Sequence, residues 1–153
     1  GDGRPLIIST GMANNKEISA VVDLCENKNS PYALLQCTSK YPTPLSEVGL
    51  NVIDELKQYD GVVGLSDHSG SIFPGLAGIA RGISLLEVHL TFDRRISGPD
   101  VTSSITMEEL NLLCKTRDSV HEMDTNPVDK DEMYKTLEGM RKAFGRSVTT
   151  RKH

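Results

Sequence analysis

Two histidines of this 153-residue chain lie in or just after short apolar runs, and their spacing could bring both imidazoles to one divalent metal ion. His68 comes three residues after the run VVGL, and His89 lies in the run ISLLEVHL, two residues beyond Glu87. Residues two apart in a strand share a face of the sheet, so Glu87 and His89 would lie together. If the two runs are neighbouring strands, about 4.8 Å apart, His68 reaches the same point. Two imidazoles leave coordination positions open, which favours a catalytic metal site.

Three serines end or follow apolar runs of the chain, which are numbered here in chain order: PLIIS (5–9), YALLQC (32–37) and VVGL (62–65). Ser9 ends the first run, Ser39 follows the second and Ser66 follows the third. Hydroxyls and backbone N–H groups at strand ends are common phosphate ligands, and Arg4 could add a positive charge. Serines at such positions also cap helices and turns, so these serines indicate an anion site only in combination with the histidines.

Four apolar runs alternate with segments of helical spacing and predict four β-strands, at residues 5–9, 32–37, 62–65 and 83–90. Such alternation implies parallel strands joined by right-handed crossovers, with helices covering the sheet. The strands are apolar throughout, as buried parallel strands are. Sites in α/β folds form at the carboxyl ends of parallel strands, where these polar residues occur. Four strand–helix units are half of a (β/α)8 barrel, and we predict this architecture. A flavodoxin-like open sheet is the alternative.

The remaining third of the chain is predicted to be helical. A helix begins at Thr106, where Glu109 completes a capping box, and a last helical stretch covers residues 131–144. We therefore expect an α/β unit over residues 1–125 and a terminal helix with a linker over residues 126–153.

Composition excludes several functional classes. The chain is 37% hydrophobic and 25% charged, with a formal charge of −4, which argues against a general nucleic-acid binder. No apolar run approaches the roughly 20 residues that cross a bilayer, so we expect no membrane contact. The three cysteines are far apart and form no CxxC pair, which indicates neither a disulfide framework nor a zinc ribbon. These features favour a cytoplasmic protein.

Five segments resemble, in order and spacing, motifs of the sialic acid synthase family: RPLIISTGM (4–12), YALLQCTSKYPTP (32–44), VGLSDHS (63–69), LLEVHLTFDR (85–94) and GPD (98–100). Members of that family condense phosphoenolpyruvate with an N-acetylated amino-sugar aldose to give a nonulosonic acid. The resemblance implies that the chain is the C-terminal half of the catalytic (β/α)8 barrel, strands five to eight with their helices. It also implies a linker toward an antifreeze-like domain and a homodimer in the full-length protein.

The resemblance further implies a role for each residue of the predicted site. His68 and His89 would hold a divalent metal, Mn²⁺ in the first place and Mg²⁺ or Co²⁺ as alternatives, that activates the sugar aldehyde. Four side chains would bind phosphoenolpyruvate: Arg4, Ser9, Ser39 and Ser66. Three others would line the sugar pocket: Tyr41, Glu87 and Asp100. Glu87 is in addition a candidate proton shuttle.

Two other functions stay open on the residues alone. One is a divalent-metal aldolase or hydrolase on the same barrel. The other is a non-catalytic α/β module, in which Ser66, His68 and Glu87 only satisfy backbone groups. The choice of sugar is also open, between N-acetylmannosamine, its 6-phosphate and the diacetamido sugars. Half a barrel would leave its first and last strands unpaired, so the 153 residues alone are predicted to self-associate and to be inactive.

Overall fold

A parallel five-stranded sheet forms the centre of the structure, a computed structural model that describes residues 3–145. The strands lie side by side in chain order: β1 Leu6–Ser9, β2 Tyr32–Cys37, β3 Val62–Asp67, β4 Leu85–Leu90 and β5 Ser104–Ile105. Every neighbouring pair is parallel, which confirms the predicted α/β class. The order never reverses, whereas a flavodoxin-like sheet exchanges its first two strands. The open-sheet alternative therefore does not match this topology.

The strand boundaries differ from the sequence prediction at three points. β1 begins at Leu6 rather than Pro5, because proline has no N–H to donate to a ladder. β4 begins at Leu85 rather than at residue 83, since the N–H of Ile83 instead bonds the carbonyl of Gly78 at the end of the preceding helix. β3 extends beyond residue 65 to Asp67. The polar residues after the third run thus lie at the strand end itself.

The fifth strand was not predicted from the sequence, because two residues are too short for a detectable hydrophobic pattern. Ser104 pairs with His89 and Ile105 with Leu90, so β5 covers only the last two residues of β4. Among residues 3–145, the rest of that edge of β4 has no strand partner.

The chain forms six α-helices within the described residues: α1 Asn15–Asn27, α2 Leu50–Leu56, α3 Phe73–Ala80, α4 Met107–Thr125, α5 Lys130–Thr136 and α6 Glu138–Phe144. Short 3-10 helices occupy Leu45–Glu47 and Val101–Ser103. The predicted capping box of α4 is confirmed, since the Thr106 N–H donates to Glu109 Oε2 at 2.8 Å and the Glu109 N–H donates to Thr106 Oγ1 at 3.3 Å. No helix within residues 3–145 is long and apolar enough to span a bilayer.

The predicted single helical stretch over residues 131–144 is wrong in one respect, because it is two helices that meet at Leu137. At Leu137 the backbone has φ −95° and ψ 9°, which ends the regular α5 turn. The chain separates into two compact units, one through Val120 and one from His121 onward, the second of which contains α5 and α6. The part of the predicted linker beyond residue 145 lies outside the described residues.

The helices of the first unit cover one face of the sheet. Leu34 of β2 and Leu65 of β3, 1% exposed each, pack in one cluster with residues of α1 and α2. That cluster also contains Ile18, Val22, Cys25, Ile53, Leu56 and Val63. A second cluster joins Val88 of β4 to α3 and α4. Because strand side chains alternate, the residues between these positions point to the opposite face.

Exposure is uneven across the sheet. Every residue of β2 is buried, and in β3 only Val62 is exposed. In β1, however, Leu6 is 46% and Ile7 is 65% exposed, and no residue of β4 is fully buried. β1 and β4 thus present apolar side chains, and each has an edge that the described residues leave wholly or partly uncovered.

Gly64 of β3 allows β3 and β4 to approach each other closely. A Cβ atom there would lie 2.5 Å from the carbonyl oxygen of Leu85 and 2.9 Å from its Cβ. Backbone cannot move aside without separating the strands, so Gly64→Ala should lower the unfolding free energy of the complete protein by about 1–3 kcal/mol. Urea denaturation followed by circular dichroism measures this change.

The matched control is Gly139→Ala in α6, where a Cβ meets nothing within 4 Å. Alanine there should be neutral or should stabilise by up to about 1 kcal/mol, since glycine is the poorer helix former. Equal denaturation midpoints for the two variants would contradict the close approach at Gly64.

Candidate functional site

The sheet face opposite the helices carries the predicted polar residues. The strand register aligns Cys37 of β2 with Ser66 of β3, and Ser66 with Glu87 of β4. Aligned residues of parallel strands point to the same face, so these three form one row. The next row, two residues beyond Ser66 and Glu87, contains His68, which directly follows β3, and His89 of β4. The predicted shared face of Glu87 and His89 is confirmed, since Val88 between them packs toward the helices.

His68 and His89 lie side by side at the carboxyl ends of β3 and β4. Their ring centroids are 5.1 Å apart and the rings are inclined at 73°. His68 is 5% exposed, whereas 32% of the His89 side chain is exposed. Two imidazoles on one ion, with bonds of about 2.1 Å and an angle of roughly 90–110° between them, have centroids about 4.6–5.3 Å apart. The spacing therefore fits two ligands of a single ion.

Each imidazole contacts the protein through its Nδ1 atom. His68 Nδ1 lies 3.8 Å from Cys37 Sγ, and His89 Nδ1 lies 3.8 Å from Asp100 Oδ2. The Nε2 atom of His68 instead faces Tyr41, whose hydroxyl is 3.2 Å away. The Tyr41 ring lies 4.3 Å from the His68 ring and 5.7 Å from the His89 ring, centroid to centroid. Four of the predicted site residues, Tyr41, His68, His89 and Asp100, thus form one cluster.

Within residues 3–145, no group of three or more His, Cys, Asp or Glu side chains is arranged to hold a metal ion. Only two imidazoles therefore converge, and an ion bound between them would keep most of its coordination positions for substrate and water. Such an open arrangement is typical of catalytic rather than structural metal sites.

Ser66 and Glu87 are joined directly across β3 and β4. The Ser66 hydroxyl donates a hydrogen bond of 2.7 Å to Glu87 Oε1. Ser66 is 3% exposed, while Glu87 is open to solvent. A hydrogen bond to an ionised carboxylate is stronger than one between neutral groups, so it fixes the orientation of both side chains. The second carboxylate oxygen of Glu87 stays available to a ligand on the open face.

Two loops hold the backbone around His68. The Thr43 N–H donates to the carbonyl oxygen of His68 at 3.0 Å, and the Thr43 hydroxyl donates to the carbonyl oxygen of Thr38. On the other side Asp67 accepts hydrogen bonds from the N–H and the hydroxyl of Ser69, at 3.1 and 2.8 Å. Burial raises the pKa of the Asp67 carboxyl, and the bonds from Ser69 oppose this rise. These bonds of Asp67 and Thr43 fix the backbone on both sides of His68, a role that sequence reasoning did not assign.

Gly11, beyond the end of β1, is a third residue that sequence reasoning missed. A Cβ atom at Gly11 would collide with the Ser39 hydroxyl and would lie 2.8 Å from Cys37 Sγ. The absence of a side chain thus lets the end of β1 contact the end of β2. Ser9 ends β1 and is exposed. The usable signal in the sequence was a glycine two residues beyond a predicted strand end.

Arg4 is the one predicted site residue that the structure does not bring to this edge. It precedes β1, at the amino end of the strand, whereas the histidines lie at carboxyl ends. Five residue-to-residue steps of extended chain separate the Cα atoms of Arg4 and Ser9, a span of roughly 16 Å. Side-chain charge and the family resemblance suggested Arg4 as a phosphate ligand, and its part in the site stays a prediction.

Comparison with known proteins gives the same family from sequence and from structure. A family model described as the NeuB family matches residues 1–129. The chain is 42% identical over 115 residues to an N,N'-diacetyllegionaminic acid synthase of Campylobacter jejuni, covering 72% of this chain and 34% of the relative. It is 32% identical over 148 residues to a pseudaminic acid synthase of the same organism, covering 95% of this chain and 42% of that relative.

Among solved structures, an N-acetylneuraminic acid (sialic acid) synthetase from Leptospira borgpetersenii, crystallised with citrate, superposes with a TM-score of 0.75 at 30% identity. The match covers 92% of this chain and 50% of that one. The chain thus spans between a third and a half of the length of these relatives. The family model matches most of its residues, and the same fold is found in a sialic acid synthetase: the chain belongs to the NeuB family.

Proposed function

We propose that the complete protein is a nonulosonic acid synthase, which joins phosphoenolpyruvate to an N-acetylated amino-sugar aldose and releases phosphate. The names of its relatives support this class of reaction. The observation that carries the proposal is the convergence of His68 and His89 on the open sheet face, next to the hydrogen-bonded pair Ser66 and Glu87. We further propose that the complete protein is a homodimer, as the family resemblance implies.

We propose that β1 to β4 are strands five to eight of a (β/α)8 barrel. Three features support this assignment: the strand order does not reverse, the helices lie on one face, and the polar residues lie on the other. In a closed barrel the exposed edge of β1 would pair with strand four. The edge of β4 from Leu85 to Val88 would pair with strand one.

We assign His68 and His89 as the protein ligands of a divalent cation, with Mn²⁺ in the first place and Mg²⁺ or Co²⁺ as alternatives. Imidazole is a ligand for several first-row ions, and the two rings have the spacing that one ion requires. When bound, the ion would act as a Lewis acid toward the sugar carbonyl as negative charge develops on its oxygen. The buried contacts of His68 to Cys37 and Thr43 keep this ligand in place before substrate arrives.

The other residues of the face would bind and orient the two substrates. Hydroxyls of Ser9 and Ser39 would donate hydrogen bonds to the phosphate, and the Ser66 hydroxyl would do so by turning its one proton from Glu87 Oε1 to a phosphate oxygen. Glu87 would accept a hydrogen bond from a sugar hydroxyl through its free oxygen, and is placed to move a proton. In the reaction, C3 of phosphoenolpyruvate forms a bond to the aldehyde carbon. Water then adds at the oxocarbenium-like C2 and gives one proton to the former aldehyde oxygen. The C2–O bond to phosphate breaks as the new C2 hydroxyl passes its proton to the departing phosphate and becomes the carbonyl of the 2-keto acid.

Ser66→Ala tests the assignment of this hydroxyl to phosphoenolpyruvate. A hydrogen bond to a charged group contributes about 1.5–3 kcal/mol, so the KM for phosphoenolpyruvate should rise by roughly tenfold to a hundredfold. Steady-state phosphate release by the complete protein measures it. Ser119→Ala on the exposed side of α4 is the control and should leave the KM unchanged. An unchanged KM in both variants would remove Ser66 from the phosphate site.

The proposed function itself is tested by phosphate release from phosphoenolpyruvate. The complete protein is incubated with Mn²⁺ and, in turn, N-acetylmannosamine, its 6-phosphate and the diacetamido sugars, each with and without a chelator. We expect chelator-sensitive release with one of these sugars, together with a new 2-keto acid detected by mass spectrometry. Phosphate release that does not require phosphoenolpyruvate would favour a metal aldolase or hydrolase. No release with any sugar would contradict the synthase assignment.

A further inference from the structure

Cys37 has no part in the proposed reaction, yet its thiol lies beside one of the two histidines. It ends β2, is 8% exposed, and has its sulfur 3.8 Å from His68 Nδ1. The sulfur is confined from the other side by Gly11, where an added Cβ would lie 2.8 Å away. A buried thiol is therefore held between the end of β1 and the His68 ring.

The two ring nitrogens of His68 face different partners. A histidine that binds a metal through Nε2 must carry its proton on Nδ1, and an acceptor for that proton fixes the orientation of the ring. Among residues 3–145, the contact of this nitrogen is with Cys37 Sγ. On the opposite side the Tyr41 hydroxyl lies 3.2 Å from Nε2 and can donate to its lone pair. Both contacts suit the tautomer with the proton on Nδ1.

We propose that Cys37 is a positioning residue for His68, whose sulfur accepts the Nδ1–H hydrogen bond and so directs the Nε2 lone pair toward the metal. This inference rests on the proposed assignment of His68 as a metal ligand. The thiol acts through the imidazole and does not itself bind the ion, because it lies on the Nδ1 side of the ring.

Sulfur is a weak hydrogen-bond acceptor, but it is a large atom, and in Cys37 it lies close to both Gly11 and the His68 ring. Serine keeps an acceptor at nearly the same place, whereas alanine removes the acceptor. Both Cys37→Ser and Cys37→Ala make the side chain smaller, but only serine keeps a hydrogen-bond acceptor. A difference between the two variants therefore reports the hydrogen bond and not the packing. Cys114→Ala, in the partly buried part of α4, is the matched control for loss of a thiol elsewhere.

The first measurement is the tautomer of His68 in the metal-free complete protein, by two-dimensional ¹⁵N–¹H spectroscopy with ¹⁵N-labelled histidine. The wild type and Cys114→Ala should show His68 protonated on Nδ1. Cys37→Ala should shift it toward a mixture of tautomers, and Cys37→Ser should restore most of the wild-type signal. A His68 spectrum that is identical in wild type and Cys37→Ala would overturn the proposal.

The second measurement is the dissociation constant of Mn²⁺ by isothermal titration calorimetry of the same proteins. Loss of an outer partner of a ligating histidine typically costs 10- to 100-fold in affinity, and for a thiol we expect about tenfold in Cys37→Ala. Cys37→Ser should recover most of the affinity, and Gly11→Ala should weaken it by displacing the sulfur. Affinity within twofold of wild type in Cys37→Ala, or equal losses in the alanine and serine variants, would overturn the proposal.

These results are independent of the synthase assignment. A protein that binds Mn²⁺ in a Cys37-dependent way but releases no phosphate would contradict the proposed function alone. A protein that releases phosphate with unaltered Mn²⁺ affinity in Cys37→Ala would contradict the positioning role alone.

Discussion

Replacing His68 or His89 with alanine in the complete protein is expected to abolish chelator-sensitive phosphate release. Each imidazole would supply one of the two proposed protein ligands on the open face of the described sheet, so one substitution would leave a single ligand. Loss of one preorganised electrostatic group at a reacting oxygen costs about 10²- to 10³-fold in rate, and loss of the ion should cost at least as much. Mn²⁺ affinity should fall in parallel.

His121→Ala is the matched control for this experiment. His121 lies in the second unit, in the last turns of α4, and has no part in the predicted site. The rate of phosphate release and the Mn²⁺ affinity of the His121→Ala variant should equal those of the wild type. Full activity in His68→Ala, with the fold intact by circular dichroism, would contradict the metal assignment. Unchanged Mn²⁺ affinity in a His68→Ala variant, with no phosphate release by the wild type, would favour the non-catalytic alternative.

Residues 1–153 expressed alone are expected to self-associate and to be inactive. β1 and β4 carry apolar side chains that the described residues leave exposed, and unpaired strand edges recruit other chains. Multi-angle light scattering should show oligomers or aggregates. Coexpression with the remainder of the parent chain should give a complex of defined mass, since it would supply the strands that pair with β1 and β4.

A charged residue on the open edge tests the cause of this association. Ile7→Lys places an ammonium group on β1, where the side chain is 65% exposed, and should reduce the oligomer fraction. Leu24→Lys on α1, where the side chain is 58% exposed, is the matched control away from the sheet edge. A stable monomer of residues 1–153 that turns over substrate would refute both the edge argument and the half-barrel assignment.

The strand pattern and the shared face of the site could be predicted from the sequence. Continuous apolar runs identified four strands, and the two-residue spacing placed Glu87 and His89 on one face. The capping box of α4 could also be predicted, because Thr106 and Glu109 are only three residues apart. Each of these features depends on residues that are close in the chain, and so leaves a signal in the sequence.

The parts that could not be predicted depend on contacts between distant residues. Cys37 meets His68 only because β2 and β3 align in register, and Tyr41 reaches the same ring through a loop. The two-residue strand β5 forms because β4 offers it an edge, which no local pattern reveals. Arg4 was proposed from its charge and from the family resemblance; it lies at the amino end of β1, and its part in the site stays a prediction.

The most direct test of the metal site is a crystal structure of the complete protein grown with Mn²⁺, with data collected at a wavelength where manganese scatters anomalously. We predict one anomalous peak at about 2.1 Å from a ring nitrogen of both His68 and His89. The Tyr41 hydroxyl would then no longer bond to His68 Nε2. A peak elsewhere, or none while Tyr41 keeps that bond, would contradict the account.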